Sequence, residues 1–417
     1  MTMNTTFAAL ISVYPTAEAL IAYLKSPEGG KLVVRDFRAP GDPYVLVHYD
    51  KDTSDMTHVN THIFRSIVWN MDTNRPACIS PSRGLRFSTA PPPTSFAGFV
   101  GFRVEEFVDG VMINVFYDEK TATWQIATRT QLGATGSFYG KRPFIDLFHE
   151  TCKVQGIDMA TFDTSLCYSF VLNHPEERIV VPALYGTPTL TLVEAYKIHS
   201  DTGAYETLDV TLANVKKPVV HPTLETLEGI ATYVAARNAA DRYNFQGVVL
   251  KCYTASSCSR YKNRSLLYAH ARFLRGNQAK LPYRWLELWS NSGRAFHEYL
   301  EIYPEEAVQA NAIVESFKAC TQTFHDLYIQ VYKKHELPLG SAPQKYRKLI
   351  WEARQKGVPS YFPALRDFMN QQDTARKLWL VNYEVRYTGS AVVDTVVDTA
   401  VDTAVDTDGS VAEVTAV

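Results

Sequence analysis

The stretch EEFVDGVMINVFYD, residues 105–118, decides how the rest of the chain is interpreted. Asp109-Gly110 is a typical turn dipeptide, because glycine adopts backbone conformations that other residues avoid. The apolar alternation that follows predicts a strand with one buried face. A second apolar segment, WQIATRT (124–130), comes after the polar link EKTAT, which contains Lys120. The two segments therefore predict a β-hairpin.

More strands are predicted further along. The segments CYSFVL (167–172) and RIVVPALY (178–185) flank NHPEE, which predicts a second hairpin. The segment FQGVVLKCY (245–253) is rich in β-branched and apolar residues, as strands are. Residues 101–290 are therefore predicted to be strand-rich, within a first domain over residues 1–290.

The hydrophobic period changes after residue 290. Apolar residues recur every three or four positions from 313 to 331, which predicts an amphipathic helix. Two more helices are predicted, one around residues 346–353 and one over residues 362–379. We expect an α+β fold, with a helical domain over residues 291–385. Repeats of VDT without aromatic residues predict a disordered tail over residues 386–417.

The composition limits the possible classes of protein. The net charge is -2, so bulk charge does not predict a nucleic-acid partner. The six cysteines form no C-x-x-C pair, which argues against a zinc ribbon and against a disulfide framework. No apolar run is long enough to span a membrane. We expect a cytoplasmic protein with no membrane partner.

One local stretch is strongly basic. Residues 260–284 contain no acidic residue and carry interleaved aromatic residues together with Arg260, Lys262, Arg264, Arg272, Arg275, Lys280 and Arg284. Cations between aromatic rings suit a phosphate backbone with stacked bases. On composition alone, a solvated basic face over core aromatics is the more common meaning of such a stretch.

The order of the motifs resembles that of the phage-type ATP-dependent RNA ligases, which belong to the covalent nucleotidyltransferase superfamily. The segment FVDG (107–110) lies in the frame of the family's K-x-D-G motif, and YSFVLNHPEERIV (168–180) matches its middle motif. The segment QGVV (246–249) matches E-G-x-V, and RYK (260–262) matches K-x-K. Arg129 matches an arginine on the family's next strand.

The resemblance implies a nucleotidyltransferase (ATP-grasp-like ligase) domain of antiparallel sheets with flanking helices. It also implies ATP and Mg²⁺ as cofactors, and RNA and nucleotide as partners. In the family, a lysine attacks ATP and holds AMP, AMP passes to an RNA 5′-phosphate, and a 3′-hydroxyl displaces it. The implied nucleotide-binding residues are Asp109, Gly110, Arg129, Phe170, Gln246 and Lys262. The implied RNA-phosphate residues are Arg65, Arg260, Arg264, Arg272 and Arg275, and no metal ligand is assigned.

The chain departs from the family at the positions that handle AMP. Phe107 stands at the position of the lysine nucleophile, and phenylalanine cannot attack phosphorus. The two motif glutamates are replaced by Val171 and Gln246, and Arg260 replaces the first lysine of K-x-K. Lys251, at the end of the QGVV strand, is the candidate substitute nucleophile.

Two functional hypotheses remain open. The first is an RNA-ligase-like protein that acts on or binds RNA ends and nucleotide but is impaired in self-adenylylation. Such a protein would use a displaced lysine, or would seal RNA that is already adenylylated. The second is an inactive pseudo-ligase that serves as an RNA- or nucleotide-binding module. An unrelated α+β protein is the minor alternative.

Overall fold

The computed structural model describes residues 3–36, 42–93 and 99–384. This part divides into two compact units, residues 3–272 and residues 273–384. The boundary therefore lies earlier than the predicted one after residue 290. The predicted disordered tail over residues 386–417 lies outside the described residues.

The first unit is built on three sheets. Their strands are β1 (Met3–Asn4), β2 (Val33–Asp36), β3 (Tyr44–His48), β4 (Ile67–Asn70), β5 (Arg75–Ile79), β6 (Leu85–Arg86), β7 (Gly101–Glu106), β8 (Val111–Asp118), β9 (Thr123–Ala127), β10 (Leu166–Asn173), β11 (Thr189–Ile198), β12 (Tyr205–Leu208), β13 (Gly247–Tyr253) and β14 (Cys258–Arg264). One sheet has six strands in the order β1-β12-β11-β10-β8-β9. The other two have four each, in the orders β6-β14-β13-β7 and β2-β3-β4-β5. Neighbouring strands are antiparallel, except that β14 and β6 are parallel.

Helices flank these sheets and cover their apolar faces. The helices of the first unit are α1 (Thr6–Val13), α2 (Ala17–Lys25), α3 (Val59–Ile63), α4 (Phe144–Gln155), α5 (Leu227–Asp241) and most of α6 (Leu266–Arg275). Phe7 and Leu20 pack into one core beneath the β2–β5 sheet. Ile230 and Val234 of α5 pack against Val248 and Leu250 of β13 in another.

The second unit is helical. It contains the last residues of α6 followed by α7 (Leu281–Asn291), α8 (Gly293–Ile302), α9 (Ala307–Tyr332), α10 (Gln344–Gln355), α11 (Phe362–Asn370) and α12 (Thr374–Val381). The amphipathic helix predicted over residues 313–331 is confirmed as part of α9. The α+β class, with antiparallel sheets and a C-terminal helical region, is confirmed as well.

Two predicted elements are wrong in detail. Residues 178–185 form no strand, and β10 pairs with β11 instead. The backbone N–H groups of Val180 and Val181 donate to the carboxylate of Asp109, so they are not available to a strand ladder. The single helix predicted over residues 362–379 is two helices, because the side chain of Asp373 caps the start of α12.

None of the helices in the described ranges is long and apolar enough to cross a membrane by itself. Helices α1 and α2 are long and apolar enough for a membrane span only when taken together, and the two helices are bent by 105° relative to each other.

Candidate functional site

A cavity of ≈ 110 Å³ lies between two sheets of the first unit. One is the six-stranded sheet, and the other is the four-stranded sheet β6-β14-β13-β7. Side chains from β8, β10 and β11 line one wall, and side chains from β7, β13 and β14 line the other. The cations at this sheet cavity are Arg65, Arg129, Lys251, Arg260, Lys262, Arg264 and Arg272. Phe107, Asp109, Gly110 and Gln246 line it too, so the structure gathers most of the residues that the sequence singled out.

Phe107 lies directly after β7, where its N–H donates to the carbonyl of Gly247 at 2.9 Å. Two cations flank its half-buried ring. The Nζ atom of Lys262 and the Cζ atom of Arg264 each lie 5.3 Å from the ring centroid. Cations at this distance are attracted to the face of an aromatic ring. The ring therefore holds two cations at the sheet cavity by an interaction that a small polar residue could not supply.

Asp109 is buried, and its carboxylate accepts three hydrogen bonds from the protein. One oxygen accepts from the N–H groups of Val180 at 3.0 Å and Val181 at 2.8 Å. The other accepts from the hydroxyl of Tyr268 at 2.6 Å. Burial and the adjacent carboxylate raise the pKa of Tyr268 well above its usual value, so the hydroxyl stays a donor. These contacts make Asp109 a structural anchor that ties the turn to the segment after β10 and to α6.

Gly110 is required at this turn. Its φ is +147°, and a Cβ atom there would lie 2.4 Å from the carbonyl oxygen of Leu172. Gly84 has a different role, because a Cβ atom there would lie 2.6 Å from Cε of Lys262. The missing side chain at Gly84 thus leaves the space that the lysine stem occupies.

Lys251 is buried between two carboxylates. Its Nζ atom lies 2.6 Å from Glu105 and 3.0 Å from Glu194. Arg103 pairs with Glu105 at 2.8 Å, and Arg260 pairs with Glu194. We call these five residues the ion cluster. Burial lowers the pKa of Arg260 to about 10, so its guanidinium remains charged at neutral pH.

The ion cluster lies at the border of a second, larger cavity of ≈ 660 Å³, since Glu105, Lys251 and Arg260 line both cavities. Glu194 lines the second one and accepts from the hydroxyl of Tyr196. Sequence reasoning missed Glu194. The available signal was an acidic residue inside the apolar strand TLTLVEAYKI, residues 189–198.

Other basic residues are fixed by contacts within the first unit. Arg129 donates to the carbonyl of Tyr49 at 3.3 Å, and its Cζ atom lies 5.2 Å from the Tyr49 ring centroid. Arg272 donates to the hydroxyl of Tyr139 at 3.0 Å. These contacts orient the guanidinium groups along the cavity wall.

Phe170 and Arg275 do not line the sheet cavity. Strand alternation turns Val171 toward the cavity, so Phe170 faces the opposite side and packs against Phe148 and Phe162. Arg275 is buried within the helical unit, where its Nη1 atom lies 2.5 Å from Glu306. The sheet cavity therefore gives no support to the assignment of these two residues to nucleotide and RNA phosphate.

Gln246 offers the clearest unused polar group. It is 6% exposed, and its side-chain oxygen has no hydrogen-bond partner among the described residues. A buried acceptor without a partner costs free energy unless a ligand or water satisfies it. Its location in the wall of the sheet cavity is thus consistent with a ligand site.

The same wall does not provide a ready metal site. No group of three His, Cys, Asp or Glu side chains in the described residues could hold a metal ion. The carboxylates of Glu105 and Glu194 face Lys251, and Asp109 is occupied by protein donors. The donor set therefore does not fit a Mg²⁺ ion, which prefers carboxylate oxygens free to coordinate it.

Comparison with known proteins gives weak similarity to ligases. No family model matches this chain. A stretch of 145 residues is 26% identical to the RNA ligase of Rhodothermus phage RM378. The aligned part covers 32% of this chain and 32% of the phage protein, so the chain spans about a third of that relative.

Similar solved structures are also ligases. An archaeal ATP-dependent RNA ligase, in form 1, has a TM-score of 0.39 and 13% identity, covering 74% of this chain and 78% of its own. A putative ATP-dependent DNA ligase from Aquifex aeolicus has a TM-score of 0.39 and 14% identity, covering 75% of this chain and 81% of its own.

Proposed function

We propose that this chain is an RNA-ligase-like protein of the nucleotidyltransferase fold that binds RNA ends and nucleotide phosphate in the sheet cavity. We further propose that it cannot form the lysine–AMP adduct. The observation that carries the proposal is Phe107, which lies at the cavity between Lys262 and Arg264. A phosphate-binding wall thus surrounds a side chain that has no nucleophilic atom.

The balance of charges supports phosphate binding. Seven cations line the sheet cavity, against the acidic residues Glu105, Glu106 and Asp109. Lys251, Arg260 and Glu105 pair within the ion cluster, so five other cations face Glu106 and Asp109. These five are Arg65, Arg129, Lys262, Arg264 and Arg272. The remaining positive charge favours an anionic ligand, and clustered cations strengthen that attraction where water is excluded.

Lys251 is a poor substitute nucleophile in this geometry. An attacking amine must be neutral, and its nitrogen must be able to reach phosphorus. The amine of Lys251 instead pairs with Glu105 and Glu194, so an attack would first have to break both ion pairs. This supports a protein without its own adenylylation step over one with a displaced nucleophile.

A binding module without any ligase step is the second candidate function. The observation that favours it is the neutral Gln246, which takes the place of a motif glutamate and presents a lone buried oxygen. A protein that seals pre-adenylylated RNA needs phosphate clamping at the same wall. The two candidates therefore differ in activity and share the binding site.

The test is an adenylylation assay with ATP labelled on the α-phosphate and Mg²⁺ or Mn²⁺. We expect no labelled protein band. A band lost in acid but stable to base, and absent from Lys251→Arg, would reveal a displaced lysine and contradict the proposal. Incubation with pre-adenylylated RNA and a 3′-hydroxyl acceptor then separates the candidates, because only a sealing protein forms the joined product.

Binding is tested with the double variant Lys262→Gln/Arg264→Gln and a single-stranded RNA. We expect weaker binding and a flatter salt dependence, by up to roughly 1.4 in the slope of log K against log salt for two lost phosphate contacts. The matched control is Arg294→Gln/Lys348→Gln, which removes two exposed cations of the helical unit. Equal slopes in the two variants would show that the cavity does not hold RNA phosphate.

A further inference from the structure

We propose that Lys251 is a built-in cation that takes the place of a divalent metal, so that the sheet cavity binds a ligand phosphate without any metal ion. The inference rests on the proposed function for the identity of the ligand. It deepens that function by naming the form of phosphate that the site accepts.

The ammonium of Lys251 occupies a position that suits a cation. Its nitrogen lies 2.6 Å from an oxygen of Glu105 and 3.0 Å from an oxygen of Glu194, and these carboxylates come from two different sheets. All three side chains are buried, with exposed fractions of 3% for the lysine, 6% for Glu105 and 7% for Glu194. The lysine therefore bridges the sheets as a bound metal ion would.

The second oxygens of these carboxylates are also in use. Arg103 pairs with the other oxygen of Glu105 at 2.8 Å, and the hydroxyl of Tyr196 donates to the other oxygen of Glu194. Arg260 adds a further cation at Glu194. A divalent ion would have to displace these partners to gain ligands, and displacing a buried ion-pair partner is costly.

The net charge around the ion cluster also argues against a bound divalent ion. Three cations, Arg103, Lys251 and Arg260, face the two carboxylates of Glu105 and Glu194. Arg103 also pairs with Asp209 at 3.7 Å, and Lys217 pairs with that aspartate, so the extended network of four cations and three carboxylates keeps one excess positive charge. That excess repels a divalent cation and attracts a phosphate.

The nearby acidic residues do not restore a metal site. Asp109 already accepts three protein donors. Glu106 also lines the sheet cavity, but a single carboxylate would leave a divalent ion short of the several oxygen ligands that it needs. At the position of the E-G-x-V glutamate, Gln246 provides an uncharged amide oxygen.

The chemical consequence concerns which phosphates fit. A triphosphate usually arrives as a complex with Mg²⁺, and the ion cluster offers that ion no carboxylate oxygen that is not already paired with a protein group. A terminal phosphate monoester, such as the 5′-phosphate of a single-stranded RNA, needs no metal and is attracted by Lys262 and Arg264 at the same cavity. The site is therefore selective for metal-free phosphate ends.

The first experiment uses the unchanged full chain. Binding of a fluorescent 5′-phosphorylated RNA is measured by anisotropy in EDTA and in Mg²⁺ at matched ionic strength, with a 5′-hydroxyl RNA as the comparison. We expect the affinities in the two buffers to agree within about twofold, and the 5′-phosphate to strengthen binding. Binding that requires Mg²⁺, or that ignores the 5′-phosphate, would overturn the inference while leaving RNA binding itself intact.

A second readout does not depend on RNA. Electron paramagnetic resonance of added Mn²⁺ should show no stoichiometric bound ion. A one-to-one Mn²⁺ signal that disappears in Glu105→Gln/Glu194→Gln would place a metal where we place Lys251. If neither the 5′-phosphorylated nor the 5′-hydroxyl RNA binds in any buffer, the proposed function fails. The Mn²⁺ signal still shows whether a metal ion binds between Glu105 and Glu194, where we place Lys251.

Two substitutions test the lysine directly. Lys251→Arg keeps the positive charge and should bind the 5′-phosphorylated RNA like the unchanged chain. Lys251→Met removes one buried charge near the phosphate and should weaken binding on the order of tenfold. Equal affinity of the two variants would overturn the role of Lys251. The titrations on the unchanged chain remain decisive if Lys251→Met does not fold.

Discussion

Asp109 is the residue whose role the structure changes most. In the motif resemblance it is a nucleotide contact, whereas its three hydrogen bonds make it a fastening point for Val180, Val181 and Tyr268. Charge-assisted bonds of this kind stabilise a fold more than neutral ones do. An effect of its substitution on folding is therefore expected before any effect on a ligand.

We expect Asp109→Asn to lower the free energy of unfolding by about 1–3 kcal/mol, because these hydrogen bonds lose the carboxylate charge and an amide NH₂ group cannot accept from the Tyr268 hydroxyl. Urea unfolding followed by circular dichroism measures the change. The control is Asp52→Asn, at an exposed aspartate of the same unit. Equal stability of the two variants would contradict the anchoring role.

A second residue-scale prediction uses Gly84, which leaves space for the stem of Lys262. Gly84→Ala should displace the flexible lysine and weaken phosphate binding, while the free energy of unfolding changes by less than about 0.5 kcal/mol. Gly101→Ala is the matched control, since a Cβ atom there meets nothing within 4 Å. Anisotropy and urea unfolding on both variants separate binding from stability, and unchanged binding in Gly84→Ala would show that Lys262 is not a phosphate contact.

At the scale of elements, α6 combines two functions along one helix. Arg272 contacts Tyr139 near the sheet cavity, whereas Arg275, three residues later, is ion-paired with Glu306 in the helical unit. Residues three apart share one face of a helix, so the two arginines differ in their position along the helix axis and in the partners that they meet. A basic stretch in sequence is therefore not a single basic surface.

We expect Arg275→Met to destabilise the helical unit by about 3 kcal/mol, because it removes the ion-pair partner of the largely buried Glu306 carboxylate and leaves that group only the donors of Tyr299 and Trp285. The salt dependence of RNA binding should stay as in the unchanged chain. The control is Arg294→Met, at an exposed arginine of the same unit. A flatter salt dependence of RNA binding in Arg275→Met would show that Arg275 contacts RNA phosphate.

The elements that the sequence predicts well are those governed by local pattern. Alternation predicts β8, a hairpin pattern predicts β10, β-branched composition predicts β13, and the helical period predicts α9. The strand expected over residues 178–185 fails because a distant carboxylate takes its N–H groups. The same limit explains Glu194 and Arg275, whose partners come from other strands and helices. Local pattern cannot predict a partner that is remote in sequence.

At the scale of the whole molecule, the stability of the first unit depends on pH through His48. Its ring is 2% exposed and lies 2.9 Å from the carbonyl of Tyr49. Burial lowers the pKa of His48 to about 4, and the charge of Arg129 acts in the same direction. The folded chain therefore binds a proton at this ring less readily than the unfolded chain does.

The contribution of the neutral His48 ring to the free energy of unfolding is fully present above about pH 6.5. This contribution is lost as the pH falls from 6.5 toward 4, by roughly 3 kcal/mol in total. His48→Gln should flatten that part of the pH profile measured by urea unfolding. His149→Gln, at an exposed histidine of the same unit, should leave the profile unchanged. A profile of His48→Gln that matches the unchanged chain would contradict the prediction.

The anchoring of Asp109 and the tight turn at Gly110 have a consequence for how such chains change over generations. Both residues are demanded by the scaffold itself, one by three donors and the other by a carbonyl in the next strand. The side chain of Phe107 instead contacts Lys262 and Arg264, two of the cations at the sheet cavity. Selection for folding alone can therefore maintain Asp109 and Gly110, whether or not a chain with this fold carries out a reaction.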